Sequence, residues 1–354
     1  MFLSKHHYAI TLAERGNTVY FINPPLNRFK KLEVNNSFVH ENLFIVSYGF
    51  FGIQNIRFHS PFIYKILNKF NLLRLKRKLS FQPDIVWNFD FYGYCDNSEF
   101  KKSLKISHQV DFIPEEFKKN VTGADVLFSV AKEILEDLAE PNVPSFLVNH
   151  GIHEEFFNLD TLPIAENGKV KLGYVGNLLR SSVHYSLLTQ LIKQNPEVEF
   201  VLIGNYEPSN IGGANNPEGL AFVNQARQYE NVVLTGVLNK QELSKKMQEM
   251  DLFLIAYVKE GDSCRGTNYH KVMEYLATGK VIVSNFVSAY ENQDLLEMID
   301  RDDNEEEIIS LFNRVVNNLD KYNASEEMDK RIAFAKDNLY SKQLDRIELI
   351  LAEL

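Results

Sequence analysis

The feature that most constrains this chain is a repeated alternation of short apolar runs with helical patterns. Residues 18–23 (Thr-Val-Tyr-Phe-Ile-Asn), ended by Pro24 and Pro25, read as a buried strand. Runs at 44–47, 84–87, 103–107, 126–129 and 146–148 repeat the pattern, each β-branched or aromatic and bounded by turn residues. Helical spacing fills the gaps at 8–14, closed by Gly16, and at 131–138. A polar stretch at 158–168, with Pro163, Asn167 and Gly168, interrupts the rhythm and reads as a linker. The alternation then restarts. Strands are expected at 170–175, 199–203, 231–235, 251–255 and 281–284, and helices at 185–193 and 241–250. Strands alternating with helices predict an α/β fold with two Rossmann-like parallel-sheet domains. The expected boundaries are 1–157 for the first domain and 169–330 for the second. One irregularity stands out. Helix signals begin within the first ten residues with no strand before them, so the first domain is expected to lack its opening strand, or the start to lie too far downstream.

Composition narrows the function. At 354 residues the chain has room for two domains, and 45% hydrophobic residues exclude wholesale disorder. A net charge of −9 argues against a generic nucleic-acid binder. Two cysteines, Cys95 and Cys264, make neither a disulfide framework nor a zinc site. No apolar run approaches the roughly 20 residues of a membrane span, and the N-terminus has no secretory h-region. The expectation is a cytoplasmic protein.

Five segments can carry chemistry. The strongest is Arg265-Gly-Thr-Asn-Tyr-His-Lys-Val-Met-Glu-Tyr-Leu-Ala-Thr-Gly-Lys280. Gly266 and Thr267 suggest a turn, Asn268 an N-cap, and Gly279 the stop of the helix between them. Such a helix start offers free amides to an anion. His270, Lys271 and Glu274 share one side, where Lys271 can take a phosphate and Glu274 a ribose hydroxyl. The same spacing also fits a plain surface helix with an ion pair. The second is Leu172-Gly-Tyr-Val-Gly-Asn-Leu-Leu-Arg180. There a strand ends at Gly176, Asn177 begins a polar turn, and Arg180 can bridge diphosphate oxygens. It is not G-x-G-x-x-G, which speaks against a nicotinamide-dependent dehydrogenase. The third is Ser107-His-Gln-Val-Asp111, at a strand's carboxyl end, where His108 or Asp111 can bind a sugar hydroxyl or act as a base. Both residues equally fit structural roles. The fourth is a basic run at 61–82 with Lys65, Lys69, Arg74, Lys76, Arg77, Lys78 and no acidic residue. It reads either as a face for anionic lipid or as a core-packing helix with solvated cations. The last, Asp300-Arg-Asp302, can hold a metal, but acidic residues at a helix start are expected from the dipole alone.

Together these segments resemble a GT-B glycosyltransferase of the family 4 kind, over most of the chain. The blocks are 6–17 with the strand after it, Asn149-His-Gly-Ile-His-Glu-Glu-Phe-Phe157, Gly173-Tyr-Val-Gly176, Asn231-Val-Val-Leu-Thr-Gly236 and Lys271–Lys280. The resemblance implies a cleft between two Rossmann-like domains, with the acceptor on the first and a nucleotide-sugar on the second. It implies that residues 331–354 include a terminal helix packing back on the first domain. It puts the ribose on Glu274 and the base near Val237 and Leu238. The diphosphate would lie against Gly176, Asn177, Arg180, Lys271 and the Arg265-Gly266-Thr267-Asn268 helix start. The nearest match to the family's sugar-lining histidine is His108, with Asp111 second. No metal or other cofactor is implied, and the donor would be UDP- or GDP-linked. The implied function is hexosyl transfer, with retention, to a glycan or lipid-linked acceptor in surface polysaccharide synthesis. Peripheral membrane contact would run through 61–82, at the inner face. One departure matters. The family has a glutamate eight residues before the one matching Glu274, and here that position is Gly266, with Glu260 or Asp262 as replacements on the same loop. A catalytically impaired nucleotide-sugar or glycan binder is therefore the alternative.

Overall fold

The structure, a computed structural model, describes residues 4–26, 31–79, 82–157, 168–208, 216–258, 268–301 and 304–354. The expected linker 158–168 lies outside them except for Gly168. The chain forms two units, one of residues 2–149 with 343–354, the other of residues 150–342.

In the first unit the order is α1 (Ser4–Glu14), β1 (Val19–Ile22), β2 (Glu33–Asn36), β3 (Leu43–Ser47), α2 (Ile56–His59), α3 (Pro61–Leu79) and β4 (Ile85–Asn88). Then come β5 (Leu104–Gln109), α4 (Glu115–Lys118), β6 (Val126–Ser129), α5 (Lys132–Asp137) and β7 (Ser145–Leu147). The strands make two sheets, β1-β3-β2 and β4-β5-β6-β7. All pairs are parallel except β2 with β3. Strand β2, rich in asparagine, has no apolar run to announce it in the sequence. Strands β5 and β6 are buried, whereas β1 and β4 each pair on one side and leave Ile22 and Ile85 exposed. Among the described residues no strand joins β1 to β4. The Tyr8 ring of α1 is tilted against Trp87 with centroids 5.0 Å apart, and the buried Trp87 indole nitrogen has no hydrogen-bond partner among the described residues.

The second unit runs β8 (Lys171–Val175), α6 (Tyr185–Gln194), β9 (Glu199–Ile203), α7 (Pro217–Ala226), β10 (Val232–Gly236), α8 (Lys240–Gln248) and β11 (Leu252–Ile255). It continues with α9 (His270–Ala277), β12 (Val281–Ser284), β13 (Glu297–Met298), α10 (Glu305–Val316), α11 (Leu319–Tyr322), α12 (Ser325–Asp337) and the start of α13 (Tyr340–Glu353). Its sheet has the order β10-β9-β8-β11-β12-β13 and is parallel throughout. The central strands carry apolar side chains on both faces because helices cover both. One core gathers Leu172, Phe200, Leu254 and Phe312, the other Val201, Phe253, Val272 and Leu276. Residues 343–354 of α13 group with the first unit, where Arg15 pairs with Asp345 at 2.6 Å and Glu348 at 2.7 Å.

A buried cation fixes the end of α9. The Arg331 guanidinium donates to the carbonyls of Gly279 at 3.0 Å, Tyr322 at 2.8 Å and Leu295 at 3.4 Å. Gly279 has a φ of +77°, the left-handed turn that stops a helix. Replacing Arg331 by Met leaves three buried carbonyls undonated. We expect a loss of about 2–4 kcal/mol in unfolding free energy, read as a lower urea midpoint with unchanged slope.

Candidate functional site

In the second unit the chain winds outward to β10 on one side of β8 and, through β11, to β13 on the other. The carboxyl ends of β8 and β11 therefore flank a topological switch point, where open α/β sheets bind ligands. The residues there were chosen for close approach. Gly176 donates its amide to the Ile203 carbonyl at 2.8 Å. Gly204 follows β9 with a φ of +139°, and a Cβ there would sit 1.9 Å from the Gly176 oxygen. A Cβ on Gly176 would meet the Lys271 ammonium at 2.9 Å. Two glycines thus let the β8 and β9 turns touch and leave space above Lys271.

Lys271 comes from α9. Its Nζ donates to the Val175 carbonyl at 2.5 Å and to the Tyr257 hydroxyl, and lies over the Tyr174 and Tyr257 rings at 5.3 and 4.9 Å. Those partners are neutral, and among the described residues Lys271 has no ion pair, so its charge is available to an anion. One turn on, Glu274 is 6% exposed. Burial pushes its carboxyl up to about 7, against the opposing pull of Lys271 and Lys240. His270 Nδ1 is 3.7 Å from that carboxylate, but burial pushes the imidazole down to about 4, so the contact is not an ion pair near neutrality. His270 Nε2 hydrogen-bonds the Tyr340 hydroxyl at 2.9 Å.

The start of α9 differs from the expectation. The N-cap is Tyr269, with no side-chain cap, and not Asn268. Asn268 instead offers its carbonyl to His150 Nε2, which donates at 2.8 Å. That contact draws the Asn149–Phe157 block to α9. The same block pairs Ile152 with Leu339 as a parallel bridge and presses Gly151 on the Tyr340 ring. Nor is α9 a surface helix, since Val272 through Ala277 are all buried.

Other expected site residues fall as follows. Asn177 caps its turn by accepting from Leu179 N at 3.0 Å, and Arg180 projects into solvent two residues after the buried Leu178. Leu238 is half-buried against the second core. Arg265, Gly266 and Thr267, with Glu260 and Asp262, lie outside the described residues. In the first unit His108 is 1% exposed and ringed by Tyr8, Trp87, Phe89 and Phe128 at 4.9–5.9 Å. Burial pushes it down to about 3, which makes it a weak base at any ordinary pH. Asp111 is exposed, and the N-cap of α4 is Pro114. Among the described residues no cluster of His, Cys, Asp and Glu could hold a metal ion, and Asp302 lies outside them.

Sequence reasoning did not single out His150, Tyr257 or Tyr340. Tyr257 follows the carboxyl end of β11, a position the switch-point rule would have flagged. His150 stood in a quoted block without a role, and Tyr340 carried no signal.

The chain is similar in fold to several solved structures. It superposes on sucrose-phosphate synthase of Thermosynechococcus elongatus with a TM-score of 0.73 at 11% identity, over 99% of this chain and 92% of that one. It matches Anabaena HepE in complex with UDP and glucose at 0.63 and 13%, over 89% and 87%. The lipopolysaccharide outer core galactosyltransferase WaaB matches at 0.61 and 15%, over 88% and 85%. The fold is thus the GT-B fold, built of two Rossmann-like α/β units. No protein-family model matches the sequence, and no curated protein does.

Proposed function

We propose that the chain is a glycosyltransferase that moves a hexosyl group from a UDP- or GDP-linked donor to a glycan or lipid-linked acceptor. The observation that carries this reading is Lys271 beneath the Gly176–Gly204 turn, without an ion pair among the described residues, with the buried carboxyl of Glu274 one turn further along α9. A nucleoside diphosphate presents the complementary groups, an anionic diphosphate and a ribose diol. As the sugar leaves, negative charge grows on the diphosphate. Lys271, Arg180 and the amides at the start of α9 would stabilise it without reorganising, and no metal enters this scheme. Sugar transfer with retention of configuration, in surface polysaccharide synthesis on the cytoplasmic side, completes the proposal. Of the two first-unit candidates for the sugar-lining or base role, only Asp111 is exposed to a ligand; His108 is sealed among four aromatic rings and is given no chemical step.

The test is release of nucleoside diphosphate from UDP- and GDP-hexoses in the absence of metal, with oligosaccharide and lipid-linked acceptors. Arg180→Ala is expected to weaken donor affinity by more than about tenfold, the value of one charge-assisted contact. Release no faster than from the free donor, with binding intact, favours the second reading, a nucleotide-sugar binder, which rests on Gly266 in place of a glutamate. No binding to Lys271 and Glu274 at all overturns both.

A further inference from the structure

Helix α3 has two apolar faces, and only one is used. Tyr64, Asn68, Asn71, Leu72 and Leu75 are buried. That face is tied down by Asn68 Nδ2 donating to the Gly93 carbonyl at 2.9 Å and by Asn71 Oδ1 accepting from Phe51 N at 2.8 Å. On the opposite side Phe62, Ile66, Phe70 and Leu73 follow helical spacing and are 76%, 55%, 46% and 40% exposed. Ile63 lies beside them, and Phe51 extends the patch with its ring 4.9 Å from Phe70. Isolated exposed apolar residues are ordinary, but a continuous stripe on one helix is a docking surface.

The flanks say what docks. Helix α3 carries six cations and no acid, in a chain of net charge −9. Lys65 and Lys69 border the exposed stripe on one side and Arg74 on the other, with Arg77 and Lys78 at its end. Lys69 pairs with Glu99 at 3.2 Å, whereas among the described residues Lys65, Arg74 and Lys78 meet no carboxylate. Among the described residues no helix is long and apolar enough to cross a membrane, and six charges exclude α3 from doing so. Apolar side chains between rows of long cations match a bilayer surface: the rings enter the acyl boundary while the ammonium groups reach the headgroups. We propose that the exposed face of α3 docks the protein on an anionic phospholipid surface.

Co-sedimentation tests it with vesicles of phosphatidylcholine alone and of phosphatidylcholine with phosphatidylglycerol at roughly a third of the lipid. The protein is expected to pellet with the anionic vesicles and to release as salt rises. The triple substitution Lys65→Gln, Arg74→Gln, Lys78→Gln should weaken binding about a hundredfold, near fivefold per cation. Phe62→Ser with Ile66→Ser should abolish binding with an unchanged melting temperature, because both side chains are exposed in the folded chain. Binding that survives both sets, or no binding to either vesicle, overturns the proposal. So does a dimer in sedimentation velocity that Phe62→Ser with Ile66→Ser dissolves, since the patch would then cover a second copy.

Discussion

Glu274→Gln is expected to weaken nucleotide binding by more than about tenfold and, at pH 8, to make the protein melt higher than the parent. Both follow from one carboxyl. In the folded chain it titrates near 7, against an ordinary 4.5. Below 4.5 the folded and unfolded states both hold the proton, and the group does not affect folding. As pH rises toward 7 the unfolded chain releases the proton while the folded chain keeps it. Stability therefore falls by about 3 kcal/mol across that window and stays lower above it. Glutamine has no proton to lose, so its advantage is full at pH 8 and absent at pH 4. Binding runs the other way. A carboxylate accepts from two ribose hydroxyls more strongly than a carboxylic acid does, so the parent's affinity should tighten from pH 6 to pH 8 and the variant's should not. Melting curves at the two pH values, paired with calorimetric titrations, separate a functional carboxyl from a structural one. Equal melting temperatures with unchanged affinity would mean that Glu274 neither pays a burial cost nor meets the ligand.

The second large effect is expected from Gly204→Ala. The new methyl would fall 1.9 Å from the Gly176 oxygen and 2.7 Å from its carbonyl carbon, both backbone atoms, at a φ of +139° that side chains rarely adopt. Neither turn can yield without moving the other. A loss of at least about 3 kcal/mol is expected, with loss of nucleotide binding in whatever fraction stays folded. Gly236→Ala is the control. It also has positive φ, at +77°, but the nearest atom is Tyr206 Cε1 at 3.7 Å. That substitution should cost only the backbone term, about 1–2 kcal/mol, and leave binding unchanged. Similar losses for both variants would show that the β8–β9 contact is not what makes Gly204 necessary.

The fold was legible because parallel strands buried on both faces advertise themselves. Val126–Ser129, Glu199–Ile203 and Val281–Ser284 lie where their apolar runs predict. Strands β2 and β13 were not legible: Glu33–Asn36 is polar and pairs at an edge, and Glu297–Met298 is two residues long. The C-terminal run from Phe334 shows one helical spacing across what are two helices, broken between Asp337 and Tyr340, where Ile152 exchanges hydrogen bonds with Asn338 and Tyr340. No local pattern encodes that distant partner.

The candidate site was legible in its residue types and not in its environment. Lys271 and Glu274 were found by spacing, but spacing does not show that α9 is buried all round or that the Lys271 ammonium lies under Gly176. It also put the cap at Asn268, because asparagine is among the preferred N-cap residues. Here its carbonyl is engaged by His150, 118 residues away in sequence, and the helix begins two residues later. His108 was read from its place at a strand end. Its aromatic surroundings come from α1, β4, the residue after β4 and β6, and appear only on folding. For 61–82 the sequence left both a lipid-facing and a core-packing reading open, because apolar residues on two opposite faces cancel the periodicity that would tell the exposed stripe from the buried one.

The central claim is that the end of β8 and the start of α9 bind a nucleoside diphosphate. A thermal-shift panel with UDP, GDP, TDP, CMP and NAD, each with and without magnesium, tests it most directly. Ligand at about 100 times its dissociation constant adds about 2.7 kcal/mol to the folded state, enough to raise the midpoint by several degrees. The account predicts that one nucleoside diphosphate stabilises the protein without metal, and that Glu274→Gln loses the effect. No shift with any nucleotide, or a shift with NAD alone, would contradict it.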